Sequence, residues 1–369
     1  MGQRVFSGQE EAVFALRSLY ERYDYRRYKM NKFEEYDLYA GNKEFLLSSS
    51  VLTFTDTDGK LMALKPDVTL SIIKNTKPTG VHKVYYDENV YRVGKGAQGF
   101  RELRQTGAEC LGEIDEYLLF ETVSLAVRSL KTIADLYGRR CEFVLSDLSL
   151  LSGLAEYAGF SKGAEKEFFA AVGEKNPHAL CDLCEREGVE IKKRELLLSL
   201  VSTYGNAEAV LCALSSFAVN ARAKEGAEKL GRLASLLREF SPEEALSIDF
   251  SVVGDTGYYS GAVFKGYIEG IPVAVLSGGE YAALMQKTGR RGSAVGFAVY
   301  LDELEYLQEE RREYDVDTVI LYEESCPVAA VARTAEKYLS QGSVSAVRRL
   351  PEGQTFRRVV RLNGKGEEV

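Results

Sequence analysis

Apolar residues recur at helical spacing from Glu10 to Tyr23, at Val13, Phe14, Leu16, Leu19 and Tyr20, and predict an opening helix. Tyr25 to Tyr39 then turns aromatic and irregular, as a helix leading into a strand does. Phe54 to Leu64 alternates on both sides of Asp58-Gly59, a hairpin signature with its turn dipeptide in place. Pro66 stops that strand, and Asp67 is set to cap a helix starting around Thr69. Lys83 to Arg92 is apolar and aromatic, Gly94 to Gly99 is too Gly-rich for a helix or strand, and Arg101 to Gly112 alternates again. Together they predict two strands joined by a mobile loop, with Arg92, Gln105 and Glu109 projecting toward one face. Asp115 to Tyr137 reads as a long amphipathic helix and Glu142 to Asp147 as a further strand.

From about Leu150 to Glu239 the chain is rich in Ala, Leu, Glu and Lys at helical period, with few β-branched residues. This predicts an inserted helical subdomain, bounded at about 150–245. Strand character returns at Leu246 to Val253, Ala262 to Tyr267 and Val273 to Leu276, and Gly292 to Leu307 predicts a strand followed by a helix. The charged run Gln308 to Glu313 marks a boundary. Beyond it Val316 to Tyr322, Val328 to Leu339 and Ser343 to Arg348 read as β-α-β, and Gly364 to Val369 is expected to be disordered. The division predicted is a large domain over 1–312 and a small α/β domain over 313–369. Antiparallel hairpins flanked by helices, without regular βα alternation, give an α+β class.

Composition narrows the functions available. The 369 residues carry 45% apolar side chains, enough for a sizeable core. A net charge of −8 argues against a general nucleic-acid binder, which needs concentrated Lys and Arg. Arg348, Arg349, Arg357, Arg358 and Arg361 form a basic cluster that reads as a solvated face. The six cysteines are sparse, and free thiols without disulfides are expected. Cys181 and Cys184 make a lone CxxC without a second ligand pair, so no metal site is expected, and no cofactor. No apolar run reaches membrane-spanning length and the N-terminus has no apolar signal core, which makes the cytoplasm the expected compartment.

The candidate chemistry is that of an amino-acid pocket. A zwitterionic ligand bearing an imidazole needs a carboxylate for its ammonium, hydrogen-bonding groups for its ring nitrogens, and aromatic walls. Asp67, Gln105, Glu109, Tyr258 and Tyr259 supply those types. The paired runs around Arg92, Gln105 and Glu109 resemble the motif 2 hairpin of class II aminoacyl-tRNA synthetases, and in detail that of histidyl-tRNA synthetase. Four further segments extend the resemblance to roughly residues 10 to 305. Leu61 to Thr69 resembles the LRPEGT segment, with Asp67 as the ammonium-receiving carboxylate and Thr69 as a hydroxyl. Gly257 to Phe264 resembles DYYTGTVF, whose tyrosines line the imidazole pocket. Ser277-Gly278-Gly279-Glu280-Tyr281 resembles GGRYD, read as a glycine turn in which Gly278 and Gly279 let backbone approach a ligand. Ala294 to Leu304 resembles motif 3. The resemblance implies that Arg92 grips a phosphate and that Gln105 and Glu109 hold histidine.

The departures from that pattern matter as much. Activation of an amino acid by ATP relies on cationic clamps around phosphoryl charge. Glu303 stands at the motif 3 Arg, Gly94 at a motif 2 Glu, Glu280 and Ala282 at the Arg and Asp of GGRYD, and no cation occurs in Val253-Gly254-Asp255. Adenylation is therefore expected to be lost and no residue is assigned a catalytic role. A synthetase-like histidine pocket with disabled clamps, followed by a shortened anticodon-binding-like tail, resembles the regulatory subunits of ATP phosphoribosyltransferase. That resemblance implies a subunit without its own turnover, which supports a short catalytic subunit in histidine biosynthesis and participates in feedback inhibition by histidine. It also implies a homodimer within a hetero-oligomer. The alternative is an enzyme, a divergent histidyl-tRNA synthetase or an amino-acid-activating paralogue.

Overall fold

The structure, a computed structural model, describes residues 8–41, 51–77, 79–93, 99–241, 245–254, 257–307 and 314–369. The predicted loop around 94–98 and the charged boundary at 308–313 lie outside the described residues. Two compact units emerge, which in described residues are 8–307 and 314–369.

In the larger unit, helix α1 (Gly8–Arg22) buries Ala12, Val13, Leu16 and Tyr20. Phe14 is off that face and 53% exposed, with the Arg17 guanidinium over its ring. The irregular segment that follows holds two short strands, β1 (Arg26–Arg27) and β2 (Phe33–Glu35), and a helical turn, α2 (Asp37–Ala40). β3 (Thr53–Thr55) and β4 (Leu61–Leu64) form the expected hairpin, with Gly59 at φ +77° in its turn. β2 pairs with the other edge of β4. Asp67 then accepts a hydrogen bond from the Leu70 amide at 3.0 Å as α3 (Thr69–Asn75) begins, the capping role its position suggested.

β5 (His82–Val93) and β6 (Phe100–Gly112) pair antiparallel along their whole length, from His82 opposite Leu111 to Val93 opposite Phe100. Asp115 caps α4 (Glu116–Leu136) on the Leu118 amide, and β7 (Cys141–Asp147) follows. The predicted helical stretch comprises α5 (Leu148–Ala158), α6 (Lys162–Gly173), α7 (Pro177–Arg186) and α8 (Ile191–Ser202). Then come a short strand β8 (Tyr204–Asn206), α9 (Ala207–Leu211) and α10 (Ala221–Phe240). Its buried side chains, Leu151, Phe168, Leu197 and Leu230 among them, belong to the same apolar core as the sheet. β8 was not visible in the local composition; it is held by pairing with β9 (Leu246–Asp249). β9 ends four residues before the predicted limit, because the Asp249 carboxylate accepts the Ser251 amide and turns the chain.

β10 (Ala262–Ile268), β11 (Leu276–Glu280), α11 (Ala283–Lys287) and β12 (Ser293–Tyr300) complete the unit, which closes in a 3₁₀ turn at Leu301–Tyr306. β11 begins only at the last residue of the strand expected at Val273 to Leu276, because the chain bends at Pro272, Val273 and Val275 before it enters the sheet. The nine strands run in the order β1-β5-β6-β12-β11-β10-β7-β9-β8. Pairing is antiparallel through the centre and parallel at β1/β5 and β7/β9, so the α+β architecture is realised with a mixed sheet.

The smaller unit contains β13 (Val316–Tyr322), α12 (Val328–Leu339), β14 (Val344–Val347) and a strand missed in the sequence, β15 (Phe356–Leu362). All pair parallel in the order β14-β13-β15. Arg357, Arg358 and Arg361 lie exposed on β15. The expected disorder at the end gives way to a turn: the Asn363 side chain accepts the Lys365 and Glu367 amides, and the Val369 amide donates to the Arg361 carbonyl at 3.0 Å.

Candidate ligand pocket

Strand alternation places Tyr86, Glu88 and Arg92 of β5 on one sheet face with Gln105 and Glu109 of β6. On β12, Gly296 lies opposite Glu109 and Tyr300 opposite Gln105. Asp67, Thr69, Arg92, Gln105, Glu109, Tyr258 and Tyr259 all line one cavity on that face, of about 50 Å³. Gly278 and Gly279 do not line it, and they form no turn. They sit in β11, paired with β10 on one side and β12 on the other. A Cβ at Gly278 would stand 2.3 Å from the Gly296 carbonyl, and one at Gly279 2.8 Å from the Tyr259 ring. Glycine is required by inter-strand and aromatic packing, which local turn signals cannot distinguish from a bend.

The pocket floor is a buried carboxylate network. Thr69 Oγ1 donates to Glu109 Oε1 at 2.8 Å, and the Tyr281 hydroxyl donates to Glu109 Oε2. A Cβ at Gly296 would overlap that oxygen at 1.6 Å, so the glycine makes the space the carboxylate occupies. Burial pushes the Glu109 carboxyl up to about 8; its two hydroxyl partners pull the other way, and the Asp67 charge adds to the rise. Burial also raises Asp67, opposed by Arg92 and by the Leu70 and Thr69 amides. The Tyr86, Tyr258 and Tyr281 hydroxyls are held well above their ordinary range by burial, with Glu109 adding to all three and Asp67 to Tyr86 and Tyr258, and remain neutral donors. Tyr258 packs on Tyr259 at 4.8 Å between ring centroids and on Tyr281 at 5.2 Å, forming the aromatic wall.

Arg92 is the only cation lining the cavity among the described residues, and its side chain turns inward. Its Nε donates to the Pro66 carbonyl at 2.6 Å, and its guanidinium lies 3.6 Å from Asp67 Oδ2. The residue expected to grip a phosphate thus neutralises the residue expected to receive an ammonium. Glu303 lies half-buried in the closing 3₁₀ turn and does not line the cavity. Glu280 faces the opposite side of the sheet, where it is bonded to Lys229 of α10. Sequence reasoning missed Tyr281 and Tyr86 as pocket residues. Both lie inside segments already singled out, but reading Ser277 to Tyr281 as a turn hid the alternation that aims Tyr281 at Glu109.

A central antiparallel hairpin presenting Arg, Gln and Glu beneath paired tyrosines defines a class II aminoacyl-tRNA synthetase-like core. Comparison with known proteins agrees. The family model described as Histidyl-tRNA synthetase matches residues 4–304. The ATP phosphoribosyltransferase regulatory subunit of Symbiobacterium thermophilum is 30% identical over 318 residues, covering 82% of this chain and 77% of the relative. A Bacillus halodurans crystal structure, described as an ATP phosphoribosyltransferase regulatory subunit/histidyl-tRNA synthetase, superposes with a TM-score of 0.74 at 19% identity, covering 99% of this chain and 97% of the other. A chain of the ATP phosphoribosyl transferase (HisG:HisZ) complex from Thermotoga maritima has a TM-score of 0.63 at 17% identity, covering 79% and 97%. The chain belongs to the family of ATP phosphoribosyltransferase regulatory subunits, which is histidyl-tRNA synthetase-like in fold.

Proposed function

We propose that this protein is the regulatory partner of a separate, short ATP phosphoribosyltransferase catalytic subunit in the cytoplasm. In this reading it has no turnover of its own, supports the catalytic subunit's activity and takes part in feedback inhibition by histidine. The observation that carries the reading is the state of the pocket in a chain of this family. The side chains assigned here to an amino acid converge on one cavity, while the lone guanidinium among them is engaged by Pro66 and Asp67 instead of standing free for a phosphate. The Thermotoga maritima relative occurs in a complex with a second protein, and a hetero-oligomer containing a homodimer of this chain is proposed by analogy. Within it, residues 314–369 would be the reduced counterpart of an anticodon-binding domain. Histidine regulates such an assembly only by binding its active and inhibited states with different affinity, and the partner must alter histidine affinity reciprocally.

The test is phosphoribosyltransferase activity of the short catalytic subunit from the same source, with and without this protein and with added histidine. Activation that histidine reverses supports the proposal; no effect together with no co-elution overturns it. Retention of Arg92 and the pocket tyrosines favours one other reading, a divergent histidyl-tRNA synthetase, which histidine-dependent exchange of pyrophosphate into ATP would establish.

A further inference from the structure

The face of the sheet away from the pocket carries a second charged cluster. Glu280 ends β11 and accepts from Lys229 of α10 and from the Ala262 amide, the latter at 2.8 Å. Its immediate neighbour Tyr281 holds Glu109 from the other side. Successive residues of an extended strand point to opposite faces, so one displacement of this strand end moves a pocket hydroxyl and an insert ion pair together. The link is reinforced at Ser260 and Gly261, which follow the pocket tyrosines. Ser260 N donates to the Glu280 carbonyl at 2.9 Å, and Leu148 N, at the start of α5, donates to the Gly261 carbonyl at 2.9 Å.

Lys229 also has a second anion to turn to. Asp147 is completely buried, and its Oδ1 caps α5 on the Ser149 and Leu150 amides at 2.8 and 3.0 Å. Its Oδ2 is buried without a hydrogen-bond partner among the described residues, a costly arrangement that calls for an explanation. Lys229 is the charge that most favours the ionised form of Asp147, against a burial effect that leaves the carboxyl near 6. Gly226, one turn before Lys229, allows α10 to lie against Asp147, since a Cβ there would be 2.9 Å from Oδ1. Lys229 and Glu280 both border a cavity of about 240 Å³, with Glu116, Glu225 and Arg232, so the ion pair is not packed in on that side, while Asp147 lies outside the cavity.

We propose that Lys229 is a two-position latch, paired with Glu280 in the state seen here and with Asp147 in the other, which passes the occupancy of the pocket to the helical insert. The inference rests on the pocket's being the histidine site. A ligand that engages Glu109 withdraws the carboxylate from Tyr281, shifts the end of β11 and loosens Glu280 from Lys229. The ammonium then turns to Asp147 and draws α10 toward the start of α5. Both arrangements satisfy the lysine, which is what a bistable element requires.

Two measurements on the full-length protein test this. Hydrogen exchange over 148–158 and 221–240, with and without saturating histidine, should show a change on the order of tenfold in the wild type. Glu280→Gln keeps an acceptor for the Ala262 amide and leaves the pocket intact, so it should bind histidine while the exchange of both helices no longer responds. Independently of any ligand, Glu280→Gln should lower the Asp147 carboxyl titration, followed by carbon NMR, by on the order of one pH unit, and by clearly more than the same substitution does beside Lys229→Met, where only the loss of the Glu280 charge acts; equal drops in the two backgrounds overturn the latch. An unchanged Asp147 titration overturns the latch whatever histidine does. Histidine binding by calorimetry without altered exchange in the wild type overturns the coupling alone; no histidine binding at all overturns the functional reading on which it rests.

Discussion

Replacing Glu109 with glutamine separates the electrostatic cost of the pocket from its shape. The carboxyl is buried beneath Thr69 and Tyr281, and its pKa rises from an ordinary 4.5 to about 8. Below the unfolded-state value both folded and unfolded chains hold the proton, and the group does not affect the balance. Between the two values the unfolded chain releases the proton and the folded chain keeps it, so stability falls as pH rises, by ~1.4 kcal/mol per pH unit. The loss is complete just above the folded value and amounts to at most roughly 5 kcal/mol. Glutamine is a neutral isostere and removes this titration, while rearranging hydrogen bonds worth ~1 kcal/mol at every pH. Urea unfolding of both proteins at pH 5, 7 and 9 reads the difference. Asp147, raised to about 6, adds a slope of the same sign that is common to both proteins and cancels, whereas Asp67 is coupled to Glu109 and the difference reads the two carboxyls together. The Glu109→Gln variant should gain several kcal/mol relative to wild type between pH 5 and 9. A stability difference that does not change over that range would refute the argument that the pocket holds a neutral Glu109 at physiological pH.

Other substitutions probe the remaining contacts. Arg92→Met strips Asp67 of its counter-charge and Pro66 of its donor; breaking such a buried pair should cost ~3–5 kcal/mol in denaturant unfolding at neutral pH, and less in acid, where Asp67 is protonated. Gly296→Ala places a methyl on Glu109 Oε2, so it should destabilise the fold by ~1–3 kcal/mol, and calorimetry should find histidine binding abolished even where the protein remains folded. Asp67→Ala combined with Glu109→Ala should abolish histidine sensitivity of the reconstituted phosphoribosyltransferase; unchanged inhibition would move the sensor elsewhere, for instance to a subunit interface.

The sequence alone determined the elements whose signals are local. Alternation marked the β5–β6 hairpin and the common face of Arg92, Gln105 and Glu109, helical period marked α1, α4 and the helices from α5 to α10, and Asp58-Gly59 marked the β3–β4 turn. Those signals survive folding because each is set by neighbours within a few residues. Tertiary structure decided what depends on partners distant in the chain. The two glycines of β11 read as a turn because glycine's turn signal is local, whereas the crowding by Gly296, Phe264 and Tyr259 that requires them is not. β8 and β15 exist by pairing with β9 and β13, which no local composition announces. The charge of Arg92 and Glu280 was legible, but its direction was not. Only the folded sheet turns Arg92 onto Asp67 and sends Glu280 to Lys229 on the opposite face, because the direction of a side chain is set by strand register and by the partner that satisfies its charge.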